Sequence, residues 1–134
     1  MTQNEQPKLA ALARLFNVQT AHYDGLGHKV EPPAEAILTV LGTLGAAVDR
    51  MSDLSNAVRE RRQFLWNRVI DPVVTVWEGN SPRIKVRLPK TSADSAVNYE
   101  LELEGGAVLR GGCVADPRFS PVARMIEGRE YIVR

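Results

Sequence analysis

Residues Leu54–Gly79, LSNAVRERRQFLWNRVIDPVVTVWEG, decide the fold. Leu54, Val58, Leu65 and Val69, with Ala57, Phe64 and Trp66 beside them, place apolar groups at helical spacing. Arg59, Glu60, Arg61, Arg62 and Arg68 read as the solvated or interface-facing side of the same helix. Ser52 or Asp53 can cap its start by accepting a hydrogen bond from an unpaired backbone N–H. Pro72 ends the helix, because it has no N–H to donate and pushes Asp71 out of the α region. Val73-Val74-Thr75-Val76-Trp77 is β-branched and aromatic, which predicts a strand. Glu78-Gly79-Asn80-Ser81-Pro82 then predicts a turn. The chain before this stretch reads as helical and the chain after it as β.

Upstream, residues 1–6 are polar. Pro7 suits the first turn of a helix over Lys8–Phe16, lined by Leu9, Leu12, Leu15 and Phe16, with Asn17 as C-cap. Asp24-Gly25-Leu26-Gly27 separates two short, loosely alternating segments, so a small β-hairpin is expected at about residues 18–30. Pro32-Pro33 starts a second helix. Its expected buried face is Ile37, Leu38, Leu41 and Leu44, and Gly45 ends it. Gly42 costs about 1 kcal/mol of helix propensity against Ala, which a close backbone contact would explain.

Downstream, the period changes to two. Ile84, Val86 and Leu88 alternate with Arg83, Lys85 and Arg87. Val97, Tyr99, Leu101 and Leu103 alternate with Asn98, Glu100, Glu102 and Glu104. Both segments read as half-buried strands with one wet face. Their opposite outer charges predict that they are antiparallel neighbours, with Lys90–Ala96 connecting them. Glu104-Gly105-Gly106 predicts a hairpin turn into 107–114. Asp116-Pro117 and Ser120-Pro121 mark a loop, Glu127-Gly128-Arg129 a turn, and Glu130–Val133 a last strand. A terminal strand with no closing turn suggests a fragment of a longer protein. An unpaired strand edge there would favour a homodimer.

Composition bounds the function. The chain has 134 residues, 44% hydrophobic and 25% charged, with a net charge of +1. That is an ordinary soluble composition, and it argues against a dedicated nucleic-acid binder. No apolar run approaches a membrane span, and the N-terminus has no signal-peptide pattern. A single cysteine, Cys113, cannot form an internal disulfide and favours a cytoplasmic setting.

No catalytic constellation is visible, and no cofactor is implied. His22, Asp24 and His28 flank one turn, but a metal site needs three or four convergent ligands. The Arg59–Arg62 run spreads around a helical turn and contains Glu60, so it is not a phosphate-binding face. Cys113 has no base close in sequence to activate it. Glu100, Glu102 and Glu104 read as the wet face of a strand rather than a glycosidase-like pair. Trp66 belongs with the core. Trp77, alternating with Val73 and Thr75, faces either way, and if exposed it is the candidate saccharide contact, since a pyranose ring has one apolar side.

Two stretches resemble a known family. LARLFNVQTAHYDGLGHKVEPPAEAILTVLGTLGA (Leu12–Ala46) and RERRQFLWNRVIDPVVTVWEG (Arg59–Gly79) are similar to the N-terminal region of bacterial 4-alpha-glucanotransferases. These are the amylomaltases of glycoside hydrolase family 77. Tyr23-Asp24-Gly25-Leu26-Gly27 and Leu44-Gly45 carry the resemblance. So do the Arg-rich helix Arg59–Trp66, the Pro-Val-x-x-x-Trp pattern of Pro72–Trp77, and Val86-Arg87-Leu88-Pro89. The resemblance implies a β-sandwich-like module that precedes a catalytic (β/α)₈ barrel. The family's nucleophilic Asp, acid/base Glu and stabilising Asp lie in that barrel, so no position of this chain inherits them. A barrel takes about 250 residues and is not contained here. The Gly-Tyr-His-like strand that leads toward the barrel in the family is also missing.

The expectation is therefore an α+β chain. Residues 1–70 form a helical part with a hairpin, and residues 71–134 an antiparallel β-sandwich-like module. The expected function is that of an N-terminal accessory region of a 4-alpha-glucanotransferase. Its partners would be the barrel of the parent enzyme, a maltooligosaccharide or glucan, or a second copy. The alternatives are a stand-alone carbohydrate-binding or protein-interaction module, and, less supported, a small hydrolase using Cys113 or a histidine.

Overall fold

The structure, a computed structural model, describes residues 5–81, 83–92, 96–113 and 122–133. The chain divides into two compact units, Met1–Leu65 and Trp66–Arg134. Helices dominate the first and antiparallel strands the second, so the class is α+β.

In the first unit, α1 spans Glu5–Leu15. Asn17 closes it in the left-handed conformation (φ +57). The N–H of Val18 reaches the carbonyl of Ala13 at 2.8 Å and that of Asn17 reaches Arg14 at 3.1 Å. This paired closure satisfies carbonyls that the helix end would otherwise leave orphaned. The second helix, α2 (Ala34–Thr43), ends the same way. Gly45, at φ +89, takes the position where a side chain would be strained. The third, α3, runs over Leu54–Trp66 behind a 3-10 turn at Met51–Asp53. Asp53 works upstream rather than as the expected cap of α3: its carboxylate accepts the N–H groups of Asp49 and Arg50 at 3.2 and 3.1 Å and closes the 3-10 turn. Leu9, Leu12, Ala13, Ile37, Leu41, Val48, Leu54, Ala57 and Val58 form one core, with Leu12, Leu41 and Leu54 fully enclosed. Leu44 departs from expectation; it caps α2 and is 52% exposed. Gly42 is not forced either, since a Cβ there would meet nothing nearer than the Val48 carbonyl at 3.6 Å.

The hairpin is present but small. His22–Tyr23 (β1) pairs with Lys29–Val30 (β2). Polar side chains and a glycine-rich turn leave it little apolar surface to bury, so it stays short.

In the second unit, α3 stops earlier than proline alone predicts. Its last residue is Trp66, and Val69 lies outside it. Two long-range hydrogen bonds engage the residues that follow it. The Asn67 side chain accepts the Tyr131 hydroxyl at 2.7 Å, and the Val69 carbonyl accepts the Arg87 N–H at 2.7 Å.

Residues 73–77 do not form the expected strand. They pair with no ladder among the described residues, and Val73 is 79% exposed. β-branched side chains favour extended backbone, but a strand also needs a neighbour. The neighbours of the later strands differ from expectation as well. Arg87–Pro89 (β3) pairs with Arg129–Val133 (β7) instead of Val97–Glu102 (β4). The second partner of β7 is Val122–Ile126 (β6), a strand the alternation did not single out. β4 pairs with Val108–Cys113 (β5). The tight turn at Gly105-Gly106 (Gly106 φ +81) closes β4 on β5 locally. The expected ion pairs between the Arg83–Arg87 and Glu100–Glu104 segments are therefore replaced by others: Glu100 pairs with Arg110, and Lys90 with Glu130, each at 2.7 Å.

The strands thus form a three-stranded sheet, ordered β3-β7-β6, and a separate ribbon β4-β5, with no closed barrel among the described residues. The final strand is central in its sheet, so it does not present the unpaired edge expected of it. Nor is the ribbon half-buried: Tyr99, Leu101, Leu103, Val108 and Leu109 are all exposed. The loop at Asp116-Pro117 and Ser120-Pro121 lies outside the described residues.

Candidate functional site

Trp77 is the most exposed tryptophan, at 78%. It stands at the start of a turn in which the Asn80 N–H donates to the Trp77 carbonyl at 3.1 Å. Gly79, at φ +83, supplies the left-handed residue that this turn requires. The turn folds the chain back, so that residues before and after it line one open concavity of about 490 Å³. Val74, Val76 and the indole give it an apolar wall. Thr75, Asn80, Ser81 and Arg83 add hydroxyl, amide and guanidinium groups. The volume lies within the range of about 300–1,000 Å³ typical of small-molecule sites.

Arg87 organises a second cluster. Its Nη2 donates to the Asp71 carboxylate at 2.7 Å, and its guanidinium carbon lies 5.9 Å from the Trp66 ring centre. The Arg87 side chain is only 18% exposed, and its Nη1 has no hydrogen-bond partner among the described residues. Trp66 packs at a tilt on Tyr131, with ring centres 5.6 Å apart. Tyr131 is the one buried residue of the second unit among those described. The cluster ties the chain after α3 to β3 and β7.

The other sequence candidates fall as follows. Asp24 and His28 meet at 3.2 Å, and the Asp24 carboxylate also accepts the N–H groups of Leu26 and His28, each at 2.8 Å. The His28 backbone N–H is the main cause that holds the Asp24 carboxyl below its ordinary value. His22, Asp24 and His28 do not converge: among the described residues no group of three His, Cys, Asp or Glu could hold a metal ion. Cys113 lies in β5 opposite Val97. Tyr23 and Tyr99 are exposed. A Cβ on Gly111 would collide with the Tyr99 ring, which crosses the ribbon over that glycine.

Of the two expected settings, solvated or interface-facing, Arg61 takes the second. Its guanidinium sits 4.0 Å from the centre of the Phe16 ring and 5.3 Å from that of Phe64, and its Nε donates to the Leu15 carbonyl at 3.4 Å. Beside it lies a notch of about 280 Å³ floored by Gly45, Ala46, Ala47 and Ala57. The signal for it was present: an arginine at α3's edge and a phenylalanine at the end of α1. The pairing between them is tertiary, however, and spacing within one helix does not reveal it.

No protein family and no curated protein matches this sequence. In fold, the chain is similar to amylomaltase from Corynebacterium glutamicum, with a TM-score of 0.65 and 20% identity. The match covers 96% of this chain and 18% of that chain. At this identity the likeness shows the fold alone. This chain thus spans less than a fifth of the length of the protein it matches, and shares its fold with a segment of it.

No helix among the described residues is long and apolar enough to cross a membrane.

Proposed function

We propose that the chain is the N-terminal accessory region of a 4-alpha-glucanotransferase acting on maltooligosaccharides and α-1,4-glucans, with catalysis in a barrel outside this chain. The observation that carries this reading is the fold shared with a segment of amylomaltase over 96% of the chain. The residues of the family resemblance support it. Asp24 closes the hairpin turn through its carboxylate, and Gly45 ends α2 in a conformation that disfavours other residues. The likeness therefore rests on positions with a physical task. In this reading the β unit is the sandwich-like module that precedes the barrel, the setting is cytoplasmic, and the region supports or positions the barrel. The parent transfers glucan segments through a glycosyl-enzyme intermediate whose carboxylates all belong to the barrel.

The test is the size of the natural polypeptide. An antibody raised against these 134 residues should detect, in the cells that make them, a protein several times larger than 14.8 kDa. A single band at 14.8 kDa would favour the stand-alone module instead.

A further inference from the structure

We propose that the concavity around Trp77 is a binding site for an α-1,4-glucan chain. The inference rests on the accessory-region reading for the choice of glucan; the site itself rests on geometry.

Burying a large indole stabilises a fold, so an indole left this open calls for a reason. Trp77 opens an ordered turn: the Asn80 N–H bond to its carbonyl and the left-handed Gly79 fix the backbone that follows it. A pyranose presents an apolar C–H face and a rim of hydroxyls. The concavity offers the complement, with the indole for the face, and Thr75, Asn80 and Ser81 to exchange hydrogen bonds with the rim. Hydroxyl and amide groups both donate and accept, as sugar hydroxyls require, and the Arg83 guanidinium adds further donors to the same rim. The concavity is open rather than enclosed, which suits a stretch of polymer lying across it. An end-capturing site would be closed. The role is non-covalent retention of glucan, with no bond made or broken.

Affinity electrophoresis of the 134-residue chain tests this, with glycogen or barley β-glucan cast in native gels. Glycogen is expected to retard the chain, and β-glucan to leave it unretarded. Trp77→Ala should weaken the retardation by about tenfold, and Trp77→Phe by less, because a phenyl ring keeps part of the stacking surface. Tyr99→Ala, at another exposed aromatic, should not change it. Unaltered far-UV circular dichroism for Trp77→Ala would confirm that the loss is local. Equal retardation of the native chain and Trp77→Ala would overturn the site. Absence of retardation by glycogen would overturn it too, and equal retardation by β-glucan would overturn the ligand class. None of these results moves the size of the natural polypeptide, so failure of the site and failure of the accessory-region reading are told apart.

Discussion

At the scale of single residues, charged side chains do most of their work on the backbone. Asp24 and Asp53 each gather two N–H groups, and both carboxyls are held below the ordinary value of 3.8. For Asp24 the leading cause is the His28 N–H, and for Asp53 the Asp49 N–H. A carboxyl with a depressed pKa stabilises the fold above its unfolded value, and that contribution is lost as pH falls through the folded value. The amide resonances of Leu26 and His28 should therefore titrate together, with a midpoint below 3.8. A midpoint at or above that value would contradict the turn geometry. Arg61 gives a second expectation. Arg61→Ala should destabilise by about 1 kcal/mol, through lost contact of its stem and guanidinium with Phe16. Arg59→Ala, exposed and, among the described residues, bonded locally to Asn56, should stay within about 0.5 kcal/mol. Urea midpoints compare the two, and equal shifts would refute the packing of Arg61. Both arginines look alike in the sequence, because the side of a helix that carries charge is visible there and the neighbouring helix is not.

At the scale of elements, local rules were legible wherever the partner groups are close in sequence. Asn17 and Gly45 end their helices as residue type predicts, and the turns at Asp24, Gly106 and Gly128 fall where glycine and aspartate mark them. Strand partnership was not legible, because alternation says which face is apolar but not which strand lies beside it. The same limit applies to 73–77, whose composition suits a strand that no described neighbour completes. The end of α3 also escaped sequence reading; Asn67 and Val69, which follow it, bond to groups 64 and 18 positions away. Trp77 was legible as a candidate, but its exposure was not, because an alternating segment without a known neighbour has no inner face. A paired substitution tests the helix account. Gly42→Ala should stabilise by about 0.5–1 kcal/mol, since the helix gains propensity and the space admits a methyl. Gly45→Ala should destabilise by about 1 kcal/mol, because its φ of +89 strains an L side chain. Thermal or urea unfolding reads both signs, and a loss in both would mean that Gly42 is required by packing.

At the scale of the molecule, the two units are unequally filled. The helical unit holds nine of the ten buried apolar residues, and the β unit holds Tyr131 alone among the described residues. The apolar face of the ribbon is open, and exposed apolar surface of that kind marks an interface. A region that supports a larger catalytic body is consistent with this distribution. The most direct test of the central claim is a maltotriose assay on two samples. One is the 134-residue chain, and the other is the natural polypeptide captured by an antibody against it. The account predicts glucose and longer maltooligosaccharides from the captured protein and none from the chain. Sustained redistribution by the chain alone, or none by the captured protein, would contradict it.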